Sequence, residues 1–142
     1  VNADVTDWQP CSPAKYVLLD APCSATGTIR RHPEILHLKN QGDVERAVIV
    51  QDQLLDAAAT MLEPGGILVF ATCSLQPEEG LERIDCLLAR RCELERAPLL
   101  PHERKCFGPF LTEQGDLRTL PSYLVDEGGM DGFYAARLKR KC

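Results

Sequence analysis

Two continuous apolar runs divide the chain: residues 16–20, ending in Asp20, and residues 67–71, ending in Ala71. Each has the length of a strand and is followed by turn-forming residues, the pattern of strands buried in a parallel sheet. Between them Val44, Ala47, Val48, Gln51, Leu55, Ala58 and Leu62 recur at steps of three and four. That spacing predicts an amphipathic helix over 43–62 with a single polar residue, Gln51, on its apolar face. A glutamine there is expected to bond a neighbouring loop or helix end, with a catalytic role as the alternative. Pro64, Gly65 and Gly66 stop the helix, and Pro77, Glu78 and Glu79 open another, with proline in a tolerated first turn and acids matching the helix dipole. Leu81, Ile84, Leu87 and Leu88 form its buried face. Residues 1–4 read as the end of a strand, 92–96 as a possible strand, 98–120 as a loop-rich insertion, and 133–138 as the last strand. This succession predicts an α/β fold with a largely parallel sheet.

The 142 residues suffice for one domain with a real core, and 44% hydrophobic with 26% charged residues excludes a disordered or fibrous chain. No apolar run approaches the roughly 20 residues of a membrane helix, and the first residues resemble no export signal, so the expectation is a cytoplasmic protein. A net charge of −5 argues against a wholly basic nucleic-acid footprint and leaves local patches, Arg30-Arg31-His32 and the stretch from Arg137 to Lys141.

Seven cysteines are present, an odd number with no C-x2-C pair and no histidine at zinc-finger distance. They are read as free thiols in a reducing compartment, with no metal site. Cys86, beside Leu87, reads as a small core residue. Cys23 and Cys73 differ, because each follows an apolar run within a short polar turn. Ligands of open α/β sheets bind beyond the carboxyl ends of the strands. If the two runs are neighbouring strands, Asp20, Cys23 and Cys73 converge on one crevice. An acid with two thiols suits covalent catalysis, one thiol adding to an electrophilic carbon and a second base removing a proton. Which thiol does which is open at this level.

The segment Asp20-Ala21-Pro22-Cys23-Ser24-Ala25-Thr26-Gly27, continuing through Arg30, Arg31 and Glu34, resembles motif IV of the Sun/Fmu-type RNA (cytosine-5)-methyltransferases. Residues 71–79, around Thr72-Cys73-Ser74, resemble motif VI, and residues 129–136 the closing segment of the same family. The similarity runs through almost the whole chain and is strongest toward the bacterial 16S ribosomal-RNA branch. It implies the C-terminal portion, over 1–142, of a Rossmann-like class I methyltransferase domain whose final strand is antiparallel. It further implies methyl transfer from S-adenosyl-L-methionine to carbon 5 of cytosine in small-subunit ribosomal RNA. Cys73 maps to the nucleophile that attacks carbon 6, and Cys23 to the cysteine of proton removal and product release. Asp20 maps to an acid beside cofactor and base, and Asp4 to an acid that meets the cofactor's adenosine. Arg30 and Arg31 are placed beside the RNA, where guanidinium forks match phosphate oxygens.

Each residue has a plainer competitor: a turn or capping acid at Asp20 and Asp4, solvated cations at Arg30 and Arg31, and a core aromatic at Phe133 rather than a flank of the extruded base. No G-x-G-x-x-G occurs, and the resemblance places the glycine-rich cofactor loop before residue 1. The 142 residues alone are therefore expected to bind the cofactor weakly, to show no turnover, and to self-associate through an open strand edge. Two other readings stand beside the enzyme: an inert RNA-binding or assembly fragment of the same fold, and a thiol redox protein, which the missing C-x2-C disfavours.

Overall fold

In the computed structural model, which describes residues 1–142, the two apolar runs are neighbouring parallel strands. They are β1 (Ala14–Asp20) and β2 (Leu62–Thr72), joined by a short helix α1 (Ile35–Leu38) and the long helix α2 (Gln41–Met61). Helix α3 (Leu81–Arg90), strand β3 (Leu94–Arg96), helix α4 (Pro101–Phe107) and strands β4 (Leu117–Thr119) and β5 (Phe133–Arg140) follow. The sheet order is β1-β2-β5-β3, with β4 also paired to β5. Strand β5 runs antiparallel to β2, as the family resemblance implied, and the short strands β3 and β4 pair antiparallel with β5.

Alternation along the strands separates two faces. Leu68, Phe70 and Thr72 of β2 lie opposite Leu138, Ala136 and Tyr134 of β5, and all six are buried. With Leu55 and Ala58 of α2 and Ile84 and Leu87 of α3 they form one core, against which Val17 and Leu19 of β1 pack. Each large apolar side chain hidden there contributes roughly 1.5–3 kcal/mol. The ring of Phe70 meets that of Tyr134 edge-on at 6.4 Å between centroids. Arg83 and Arg90 of α3 bind Asp52 of α2 at 2.7 and 3.1 Å, which fixes the two helices side by side.

Several local expectations change. Residues 1–4 form no strand; Asp4 instead starts a turn in which its main-chain oxygen accepts from the backbone N–H groups of Asp7 and Trp8. A buried strand there needs a paired neighbour, and β1 hydrogen-bonds only to β2. Residues 64–66 are not a separate turn but an irregularity inside β2. While β1 advances from Ala14 to Tyr16, β2 advances from Leu62 to Ile67, because Pro64 lacks a ladder donor and Gly65 takes φ +80°. Cys86 is exposed rather than in the core, since the apolar stripe of α3 passes through Ile84 and Leu87. The supposed loop insertion contains α4, which lies over the other face of the sheet through the Arg137–Glu103 ion pair at 3.0 Å. No helix is long and apolar enough to cross a membrane.

Candidate active site

The loops that leave the carboxyl ends of β1 and β2 bring the two singled-out cysteines together. Cys23 Sγ and Cys73 Sγ stand 3.5 Å apart, although 50 residues separate them in sequence. Parallel pairing in register, Asp20 opposite Ala71, makes this possible, and the bond from Ala21 N to Ala71 O extends it one step further. The loops are then closed backbone to backbone. Gly27 N donates to Cys73 O at 2.9 Å, and Gly132 N donates to Gly27 O at 2.8 Å. A side chain at Gly27 would overlap the Gly132 carbonyl and meet the Cys73 carbonyl oxygen at 2.7 Å, so the motif requires glycine for close approach rather than for a special φ.

Beneath the sulfurs lies a buried polar cluster centred on Glu79, which is fully buried. Its Oε2 accepts from the hydroxyls of Ser24 at 2.5 Å and Ser74 at 2.6 Å. Its Oε1 accepts from the Ser24 backbone N–H at 2.8 Å and from Gln51 Nε2 at 3.3 Å. Gln51 also donates to Pro22 O at 2.8 Å, the loop-bonding role expected of a lone glutamine on an apolar helix face. Thr72 Oγ1 donates to Glu79 O, and Thr26 Oγ1 accepts from Leu75 N at 2.9 Å. Burying a carboxylate is costly unless its oxygens are paired, and here both are. Periodicity places Glu79 only as a first-turn acid. The signal that points to it is the repeated Cys-Ser dipeptide, at 23–24 and at 73–74.

Burial pushes the Cys23 thiol up to about 12, the neighbouring Cys73 adding to the effect through its charge and its hydrogen bond. Cys23 is therefore protonated at neutral pH. Arg31 is a lasting cation nearby: its bond to Asp131 holds its pKa above the usual value, with the Cys73 sulfur as a smaller contributor. Arg30 and Arg31 both fold onto Asp131, Arg30 through Nε at 2.9 Å and Arg31 through Nε and Nη2. Both remain substantially exposed, and the outer amino groups of Arg30 are not engaged with the aspartate. Asp131 itself is held below the usual carboxylate range, chiefly by Arg31.

Asp20 is exposed at the end of β1, with no hydrogen bond or ion pair to its side chain, so its oxygens are free to receive donors from a ligand. Asp4 shares no hydrogen bond with either cysteine loop. Its Oδ1 accepts from Thr6 N at 2.9 Å and Thr6 Oγ1 at 2.7 Å, bonds that lower its pKa. Phe133 is half-buried on the face of the sheet away from the main core. A cleft of about 350 Å³ opens beside the cysteine loops, walled by Ser24, Thr26 and Leu75 on one side and by Ile29, Leu36 and Val44 on the other.

The chain is similar to known proteins. The chain is 42% identical over 124 residues to ribosomal RNA small subunit methyltransferase B of Pasteurella multocida, covering 87% of this chain and 25% of that protein. It is 42% identical over 127 residues to the protein of the same name from Thermus thermophilus, covering 89% and 29%. It thus spans between a quarter and a third of the length of these relatives. Among solved structures, a methyltransferase homolog protein from Pyrococcus horikoshii superposes with a TM-score of 0.67 at 31% identity, over 91% of this chain and 40% of that one. The family described as 16S rRNA methyltransferase RsmB/F matches residues 1–139, nearly the full chain, and the chain belongs to that family.

Proposed function

We propose that this chain is the C-terminal portion of the catalytic domain of a cytoplasmic enzyme that methylates carbon 5 of cytosine in small-subunit ribosomal RNA. The reaction runs through a covalent cysteine–RNA adduct. The observation that carries the reading is the pair of thiols 3.5 Å apart beyond adjacent parallel strands, the first of which ends in Asp20. The methyl donor is S-adenosyl-L-methionine, which supplies an electrophilic methyl group when bound. Asp20, with its unengaged carboxylate at a strand end, suits the donor groups of such a molecule. The carboxylate of Asp4 keeps Oδ2 for a hydroxyl while Oδ1 is tied to Thr6.

Cys73 is the nucleophile. As a thiolate it forms a bond from Sγ to carbon 6 of the cytosine, and the ring electrons displaced toward carbon 5 make that carbon the methyl acceptor. Cys23 is protonated at that stage, which suits a group that acts second. Desolvation is the main cause of its raised pKa. Once the Cys73 sulfur is a neutral thioether its charge no longer opposes ionisation of Cys23, which can then release its own proton to solvent and, as a thiolate, take the carbon 5 proton. Removal of that proton and cleavage of the Cys73–carbon 6 bond restore the aromatic ring. Arg30 and Arg31, oriented by Asp131, offer their remaining N–H groups to phosphate.

The test is made in the complete methyltransferase domain. Cys73→Ala abolishes both methylation and the RNA–protein adduct, whereas Cys23→Ala lets the adduct accumulate on a denaturing gel. The opposite pattern reverses the roles. Methylation that survives Cys73→Ala removes the reading altogether.

A further inference from the structure

The serine after each reactive cysteine donates to the same buried carboxylate. Resting on the function proposed above, we propose that Glu79 is a positioning residue of the reaction, holding the two thiols at working separation by gripping the residue next to each. Ser24 is one residue from Cys23 and Ser74 one residue from Cys73, so any drift of Glu79 moves both sulfurs. Gln51 ties the same carboxylate to α2, and therefore to the core rather than to the loops alone.

The chemistry of the cluster calls for a carboxylate. Two N–H groups and two hydroxyls converge on its two oxygens, which only accept, whereas an amide would point its own donors at two of those four. An apolar side chain of similar size would fill the space with less desolvation penalty but would hold neither loop. The two steps of the reaction need two sulfurs within reach of one base. Small misplacements of such groups weigh heavily on rate and little on binding of the remainder of a large substrate.

Thiol proximity measures the clamp directly. Diamide takes the two thiol hydrogens and leaves a disulfide, and peptide mass mapping locates the Cys23–Cys73 product among the seven cysteines. The native chain closes this disulfide about tenfold faster than Glu79→Ala, with Glu79→Gln between them. Should Glu79→Ala lose its circular dichroism signature, Ser24→Ala and Ser74→Ala remove one arm each and slow closure in its place. Arg90→Gln breaks the pairs to Asp52 and Asp56, away from the cysteine loops; it lowers the melting temperature and leaves the closing rate alone, which separates positioning from mere stability. In the complete domain, Glu79→Gln lowers kcat about tenfold with KM for RNA unchanged. Closure within about twofold of native in a folded clamp variant overturns the proposal, whatever reaction the domain catalyses. Slowed closure in a domain whose native form methylates no RNA keeps the clamp and removes only the proposed reaction.

Discussion

Strand β1 ends in a buried site where the Glu79 carboxylate and both serine hydroxyls are hydrogen-bonded, yet its outer side leaves apolar groups in water. Gln51 Oε1 alone in that cluster is left without a partner. At its carboxyl end, Ser24, Ser74, Gln51 and Glu79 are all buried and bonded to one another. Along its length, Tyr16 and Leu18 are 69% and 73% exposed, while Val17 and Leu19 pack against the core. The face that carries Leu18 continues to Val69 on β2, which α4 and its flanks partly cover: Leu99, Phe107 and Leu117 close a cavity of about 180 Å³ over it. No such cover reaches Tyr16 or Leu18. The thiol cluster is thus complete within these residues, whereas the hydrophobic layer around β1 is not. Unpaired strand edges with apolar side chains recruit further chain unless charge or a covering segment blocks them.

The sharpest way to break the contrast is at its well-made end. Gly27→Ala forces a Cβ against two main-chain carbonyl groups that no rotamer change can move. The expected cost is about 3 kcal/mol of unfolding free energy, read by urea denaturation. A loss below about 0.5 kcal/mol, the usual range for a surface substitution, means that the three loops are not zipped as described.

At the open side, the expected outcome is self-association of the native chain through the β1 edge or the bare face beside it. The double substitution of Tyr16→Lys with Leu18→Lys shifts it toward monomer without loss of fold, because neither side chain belongs to the core. Sedimentation over a concentration series is the measurement. A native chain that stays monomeric throughout removes the argument.

At neutral pH the smallest effect is electrostatic, since it is expressed only in alkaline solution. The Cys23 pKa rises from 9.0 to about 12 in the folded chain, so the unfolded state loses its proton first as pH increases. Stability contributed by the neutral thiol is complete below pH 9.0 and falls away as pH rises toward about 12. Cys23→Ser removes this part of the alkaline decline, visible as a flatter dependence of the denaturation midpoint over that window. An unchanged slope shows that the thiol is not desolvated as the fold implies.

Much of the molecule follows from local pattern. Apolar runs ending in Asp20 and Ala71 specify strands because they are short, uninterrupted and bounded by turn residues, although the first of them keeps Tyr16 and Leu18 exposed. The three-four spacing from Val44 to Leu62 specifies α2 because it gives a helix one apolar face. The lone Gln51 on that spacing announces its loop contact, since a buried amide must find partners. Motif chemistry points to Cys23 and Cys73, and the pairing of β1 with β2 then sets their sulfurs side by side.

What pattern does not contain is the set of contacts made across long sequence separation. Glu79 looks like an acid favouring a helix start, and only the packing of the single 3-10 turn Pro77–Glu79 under both loops makes it a buried acceptor. Asp131 lies in a glycine-rich turn and gains its meaning from Arg30 and Arg31, about 100 residues away. Cys86 lies outside the core because helical periodicity gives spacing but not phase, and α3 turns Ile84 and Leu87 inward. Residues 1–4 form no strand, because β propensity is local, whereas a strand exists only with a hydrogen-bonding partner. Sequence by itself determined the elements and the reactive side chains, because both depend on near neighbours. Tertiary structure decided which polar groups meet, because burial and pairing are properties of the assembled chain.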